Sequence, residues 1–132
     1  MSVLTTLKYL GFADGVDFLL SHAGAGNPPD IQWMSQSQQP TSAELAAAEL
    51  PAAKAAAIGA NRVECSRRIY ARYPAGRQSS VALGIYSGAE AEAKTMKDWI
   101  SDMVAAENTA ADAIEAATTV AAVEAVTVAW PV

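Results

Sequence analysis

Thr41-Ser42-Ala43-Glu44 opens, and Asn61-Arg62-Val63-Glu64-Cys65-Ser66-Arg67-Arg68-Ile69-Tyr70-Ala71-Arg72-Tyr73-Pro74 closes, the stretch that decides the fold of this 132-residue chain. Its opening is a capping box. The Thr41 hydroxyl can accept from the backbone of Glu44, and the Glu44 carboxylate can accept from the backbone of Thr41 in return. The helix that follows meets Pro51. Either it kinks there, or one short helix ends near Leu50 and another begins with Pro51 in its first turn. Beyond that point Ala52, Ala56, Gly59, Val63, Ser66, Tyr70 and Tyr73 recur at alternating spacings of four and three. This predicts a packing seam with small residues first and aromatics last. Pro74-Ala75-Gly76 ends the helix.

Towards the C-terminus, Val81, Leu83 and Ile85 alternate as in a strand, yet the same run could continue as helix; residues 75–88 are read as a connector. Ser87-Gly88-Ala89-Glu90 is a second capping box. It opens the longest helix, about 88–117, with a seam of Met96, Ile100, Met103, Glu107, Ala110, Ile114 and Ala117. Thr118-Thr119 interrupts it, and a short final helix through Val120, Val123 and Val126 leads to Trp130-Pro131.

Towards the N-terminus, residues 35–40 form a polar linker. Asp17 to His22 alternates Phe18 and Leu20 against Leu19 and Ser21, and Asp30 to Met34 alternates Ile31 and Trp33 against Gln32. The Gly- and Pro-rich segment 23–29 between them cannot be regular, so the pair reads as a β-hairpin with a seven-residue loop. Such a hairpin is marginal alone in water and must pack on a helix or a partner. Leu4, Leu7, Tyr9 and Leu10 before Gly11 predict a first short helix at 3–10. The expected fold class is α+β, mainly α. An N-terminal β-hairpin with a short helix (1–40) precedes a helical module (41–132) of a long antiparallel helical hairpin and a short C-terminal helix.

Thirty residues are alanine, and 27 of them follow residue 42. Alanine buries little area, so this part is expected to be held by close backbone approach rather than by bulky side chains. The net charge of −5 argues against a general nucleic-acid binder. The single cysteine, Cys65, permits neither an internal disulfide nor a thiolate metal cluster. The start of the chain lacks the pattern of a signal peptide, and no segment is long and apolar enough to span a bilayer, so synthesis in the cytoplasm without membrane association is expected.

No constellation of nucleophile, base and orienting acid can be assembled, and no enzymatic activity, catalytic residue, cofactor or metal is expected. His22 has Ser21 beside it, but neighbours in a strand point to opposite faces; a surface position is the better reading. Asp14 and Asp17 lack the ligand series of a calcium loop and read as turn caps. Glu90 and Glu92 lie in a helix first turn, where carboxylates favour the dipole. The glycine-rich loop at 24–29 lacks the lysine of a phosphate-binding loop. Cys65 has arginines nearby that could lower its pKa, although a half-buried helix residue is the simpler reading.

The arginines carry more information. All five (Arg62, Arg67, Arg68, Arg72 and Arg77) fall within sixteen residues, opposed there only by Glu64, whereas residues 88–132 carry eight acids and two lysines. Two helices of opposite charge would help folding mildly, but Asp98, Asp102, Asp112 and Glu115 mostly face away from the seam and only Glu107 sits on it. Some arginines should therefore be free for a protein partner, with Tyr70 and Tyr73 beside them, since Arg and Tyr are enriched at interface hot spots. Arg67, Arg68, Tyr70, Arg72 and Tyr73 form one candidate partner surface. The hairpin residues Phe18, Leu20, Ile31 and Trp33 form a second, open between core packing and the addition of a partner's strand.

Three blocks carry a family resemblance. Asp17-Phe18 through Ile31-Gln32-Trp33, then Pro40-Thr41-Ser42-Ala43-Glu44-Leu45, is similar to the opening of many small phage tail proteins. Glu64-Cys65-Ser66-Arg67-Arg68-Ile69 with Pro74 and Gln78 resembles the arginine helix of phage fibre-associated proteins, which usually show charged or polar residues where this chain has Cys65 and Ser66. Trp99-Ile100 through Thr118-Thr119-Val120 to Trp130-Pro131 is similar to their C-terminal ends. The chain thus resembles the small tail-fibre assembly chaperones and fibre-associated virion proteins of tailed bacteriophages. The resemblance implies a non-enzymatic protein that binds a tail fibre or baseplate protein, located in the virion tail and, during assembly, in the host cytoplasm. A permanent virion component that forms a homo-oligomer through its Ala-rich helices is the alternative.

Overall fold

The computed structural model describes residues 2–21, 24 and 27–132. The order of elements is α1 (Val3–Tyr9), β1 (Phe18–Ser21), β2 (Asp30–Trp33), α2 (Ser42–Arg72), α3 (Ala75–Leu83), α4 (Ala89–Ala116) and α5 (Val120–Glu124). The chain is mainly helical α+β, as the sequence predicted. It divides into two compact units, residues 1–56 with 117–124, and residues 57–116 with 125–132. The first unit is thus larger than the expected 1–40 module: it takes in the first turns of α2, and α5.

In the first unit, Ser2 caps α1 by accepting from Thr5 N–H, and Leu7 and Thr6 bury the inner side of the helix. β1 and β2 pair antiparallel, with Phe18 opposite Trp33 and Leu20 opposite Ile31. Opposed residues share a face, so these four apolar side chains lie together while Leu19 and Gln32 point the other way. Phe18 is fully buried, and Leu20, Ile31 and Trp33 are half-buried. The hairpin face expected for a partner therefore turns inward, with Ala48, Ala52, Ala53 and Val123 completing the unit's buried apolar set. His22 lies outside the described residues, as do three residues of the expected loop. The Thr41 capping box is formed, with Thr41 N–H donating to Glu44 Oε2 at 2.7 Å and Glu44 N–H to Thr41 Oγ1 at 3.2 Å. α2 then runs through Pro51 as one helix, which decides between the two readings of that proline.

The second unit holds the rest of α2 with α3, α4 and residues 125–132. Arg62 meets Glu107 while Arg72 meets Trp99, so α2 and α4 run antiparallel. The alanines predicted close approach of these two backbones. Instead the backbones of α3 and α4 approach each other most, and Arg62 and Arg72 reach from α2 to Glu107 and Trp99 of α4. The inner stripe of α2 also differs from the expected seam. Ala53, Ala57, Asn61, Cys65, Ile69 and Tyr73, each four residues on, are buried or half-buried, whereas Ala56, Gly59, Val63, Ser66 and Tyr70 are exposed. With alanine around most of its circumference, the helix has a weak apolar bias, so the phase was poorly specified. The seam of α4 agrees better with expectation: Met103, Glu107, Ala110 and Ile114 are buried.

Residues 75–83 are helical rather than a connector. α3 ends at Gly84, whose φ of 65° is the left-handed conformation that glycine adopts without a Cβ penalty. The second capping box does not form. Gly88, at φ 84°, precedes α4, Glu92 N–H bonds the Gly88 carbonyl, and no hydrogen bond joins Ser87 to Glu90.

Candidate partner-binding surfaces

Local chemistry positions the arginines of the second unit, and every one of them has an intramolecular partner. Arg67 donates twice to Glu64, Nε to Oε2 and Nη2 to Oε1, both at 2.7 Å. Arg68 donates from Nε to Glu64 Oε1 at 2.7 Å, and its guanidinium lies 5.2 Å from the Trp130 ring centre. Arg72 stacks over Trp99 at 4.6 Å and lies 5.7 Å from the Tyr73 ring, with Nη1 donating to the Val132 carbonyl at 3.4 Å. Arg77 grips Glu92, which also accepts from the Tyr86 hydroxyl. Arg62 is the loosest, 3.7 Å from Glu107. The expectation of arginines left free for a partner is therefore corrected. The sequence showed their excess over nearby acids but could not show that Glu92, Trp99 and Trp130 fold back onto them.

These contacts fix the electrostatics. Hydrogen bonds from Arg67 and Arg68 hold the Glu64 carboxyl at a pKa of about 2. Tyr86 and then Arg77 lower that of Glu92. Cys65 goes the opposite way from the sequence expectation: burial, then the Glu107 carboxylate, raise its thiol pKa. Glu107 is itself buried, with Oε1 lacking a hydrogen-bond partner, as is Trp99 Nε1.

Of the residues expected to bind a partner, Phe18 and Tyr73 are withdrawn. Phe18 has no exposed surface, and Tyr73 is 7% exposed, its ring 5.8 Å from that of Trp99. Leu20, Ile31 and Trp33 belong to the inner hairpin face. Trp33 packs edge-on against Phe12 with centres 4.8 Å apart and donates from Nε1 to the Ser37 carbonyl at 2.7 Å. Arg68 and Arg72 brace the aromatic rings. Tyr70, 55% exposed, and Arg67 remain on the outer side of α2, next to Val63 at 71%.

A groove of about 580 Å³ in the first unit was not foreseen. Tyr9, Leu10 and Phe12 form one wall, and Glu44, Ala47, Ala48 and Pro51 of α2 another, with Gln38 to Pro40 at the rim. Tyr9 and Leu10 are exposed. Pro51 has no N–H, so the Ala47 carbonyl one turn earlier loses its helical donor. The signal present in the sequence was Pro51 itself, inside a helix that otherwise has every reason to be regular.

Among the described residues no three His, Cys, Asp or Glu side chains are grouped to hold a metal, and no helix is long and apolar enough to cross a membrane. No protein-family model matches the chain, and no curated protein and no solved structure matches it either.

Proposed function

We propose that this protein works by surface contact, as a tailed-phage accessory protein or assembly chaperone that binds a tail fibre or baseplate protein. The observation that carries the binding role is the groove of the first unit. It combines exposed Tyr9 and Leu10 with Phe12, Ala47, Ala48 and Pro51, and carries Glu44 among them, which suits an apolar segment bearing a hydrogen-bond donor. The phage assignment rests on the resemblance of the Trp33, Arg67-Arg68 and Trp99 blocks. Co-production with the fibre and baseplate proteins of the same phage tests both. The wild-type chain co-purifies with one of them, and Tyr9→Ser with Leu10→Ser abolishes this while the far-UV helical signal is unchanged. Unchanged co-purification of the double variant removes the groove from the mechanism, and no co-purification by the wild type removes the partner.

The second reading, a structural component that self-associates, is favoured by one observation. Ala56, Gly59, Val63, Ser66 and Tyr70 keep heptad spacing and stay exposed on α2. Val63→Glu should abolish an oligomer built that way, as read by light scattering.

A further inference from the structure

Two glycines in the left-handed region, Gly84 at φ 65° and Gly88 at φ 84°, bracket the tripeptide Ile85-Tyr86-Ser87 between α3 and α4. Beyond its chain neighbours, neither glycine has a group within 4 Å of where a Cβ would stand, so the backbone is unobstructed there. Ile85 is 70% exposed, and Ser87 is exposed as well. Among the described residues, two hydrogen bonds hold the tripeptide. Ala89 N–H donates to the Tyr86 carbonyl at 3.3 Å, and the Tyr86 hydroxyl donates to Glu92 Oε2. Arg77 of α3 steadies the same carboxylate, from Nε to Oε1 at 3.0 Å and from Nη2 to Oε2 at 2.7 Å. Its guanidinium lies 5.2 Å from the centre of the Tyr86 ring. Tyr86 also lines an open hollow of about 920 Å³, together with Val81 and Ala89, both buried.

We propose that residues 84–88 form a flap, hinged at Gly84 and Gly88 and latched by Tyr86 on Glu92, whose release uncovers Val81 and Ala89 in the hollow. Glycine suits both hinges, because it crosses between positive and negative φ at no steric cost. The latch is made of surface groups, and exposed pairs contribute little each. It therefore holds a loop that has few other anchors, yet it can release without unfolding α3 or α4. Protons control it. Tyr86 first, and Arg77 second, hold the Glu92 carboxyl below the usual carboxylate range. Such a group contributes stability that is complete above its unfolded value and is lost as pH falls through the folded one. Glu92 in turn raises the pKa of the Tyr86 hydroxyl, so the donor keeps its proton through neutral pH. The groups that act on Glu92 are thus Tyr86 from the loop and Arg77 from α3, and Tyr73, which follows α2, acts on Arg77. The flap is latched at neutral pH and freed by acid.

This inference stands apart from the groove and the phage partner. Amide exchange on the whole chain tests it, with Ala89 N–H as the reporter, because its bond to the Tyr86 carbonyl breaks when the flap opens. Tyr86→Phe keeps the ring and removes the donor, and Glu92→Ala removes the acceptor. At neutral pH both should speed Ala89 exchange at least about tenfold. The amides of Met103 and Ile114, further along α4, should keep their protection, and the far-UV helical signal should be unchanged. Both variants should also bind the apolar dye anilinonaphthalene sulfonate more strongly than wild type. Glu64→Gln, which breaks the arginine pairs of α2 instead, should leave Ala89 exchange at the wild-type rate. As pH falls, wild-type protection of Ala89 should drop to the Glu92→Ala level only below the usual carboxylate range. Ala89 exchange at the wild-type rate in both latch variants overturns the proposal, as does faster exchange without a gain in dye binding.

Discussion

Glu64 accepts from two guanidinium groups at once, and its carboxyl is held at about 2 against an unfolded value near 4.3. A carboxylate with a depressed folded pKa adds stability that is complete above the unfolded value and is lost as pH falls through the folded one. The difference in melting temperature between wild type and Glu64→Gln should therefore be present at neutral pH and shrink as pH falls from about 4 to about 2. Cys65 is shifted upwards by burial and Glu107, so its thiol should resist alkylation. At pH 8, iodoacetamide should label it at least about tenfold more slowly in the folded chain than in urea. Both cases mark how far local sequence reaches. The Glu64 pairs lie three and four residues apart, within the spacing that helix geometry dictates. Burial, and then Glu107, which lies far from Cys65 in sequence, reverse the effect expected from neighbouring arginines.

At the scale of elements, the Thr41 box and the glycine and proline punctuation were legible because each acts within one turn of chain. Gly84→Ala places a Cβ at a φ of 65° and should cost about 1 kcal/mol in urea unfolding. Pro51→Ala restores the donor to the Ala47 carbonyl and should stabilise the chain by about 1–3 kcal/mol, while weakening any partner that used that acceptor. A loss of stability in urea unfolding would overturn this account. Val81, Leu83 and Ile85 misled because alternation in three residues cannot exclude a helix that buries only one of them. Val81 is buried, and Leu83 and Ile85 are exposed.

At the scale of the whole molecule, the large buried side chains among the described residues are few. Phe18 and Leu7 anchor the first unit, and Met103, Ile114 and Val81 the second. Phe18→Ala should cost about 3–5 kcal/mol, a large part of the roughly 5–15 kcal/mol typical of a domain, and calorimetry measures it. The sequence by itself determined where the helices other than α3 and the two strands lie and how the hairpin alternates, because capping bonds, allowed dihedrals and the period of the pleat act over a few neighbouring residues. Only the tertiary structure decided which stripe of α2 turns inward, that the hairpin's apolar face is core, and what the five arginines hold. What the arginines hold depends on Trp99, Trp130, Glu92 and Glu107, which reach α2 and α3 only when the chain folds back. In a helix made largely of alanine, no local preference is strong enough to anticipate them.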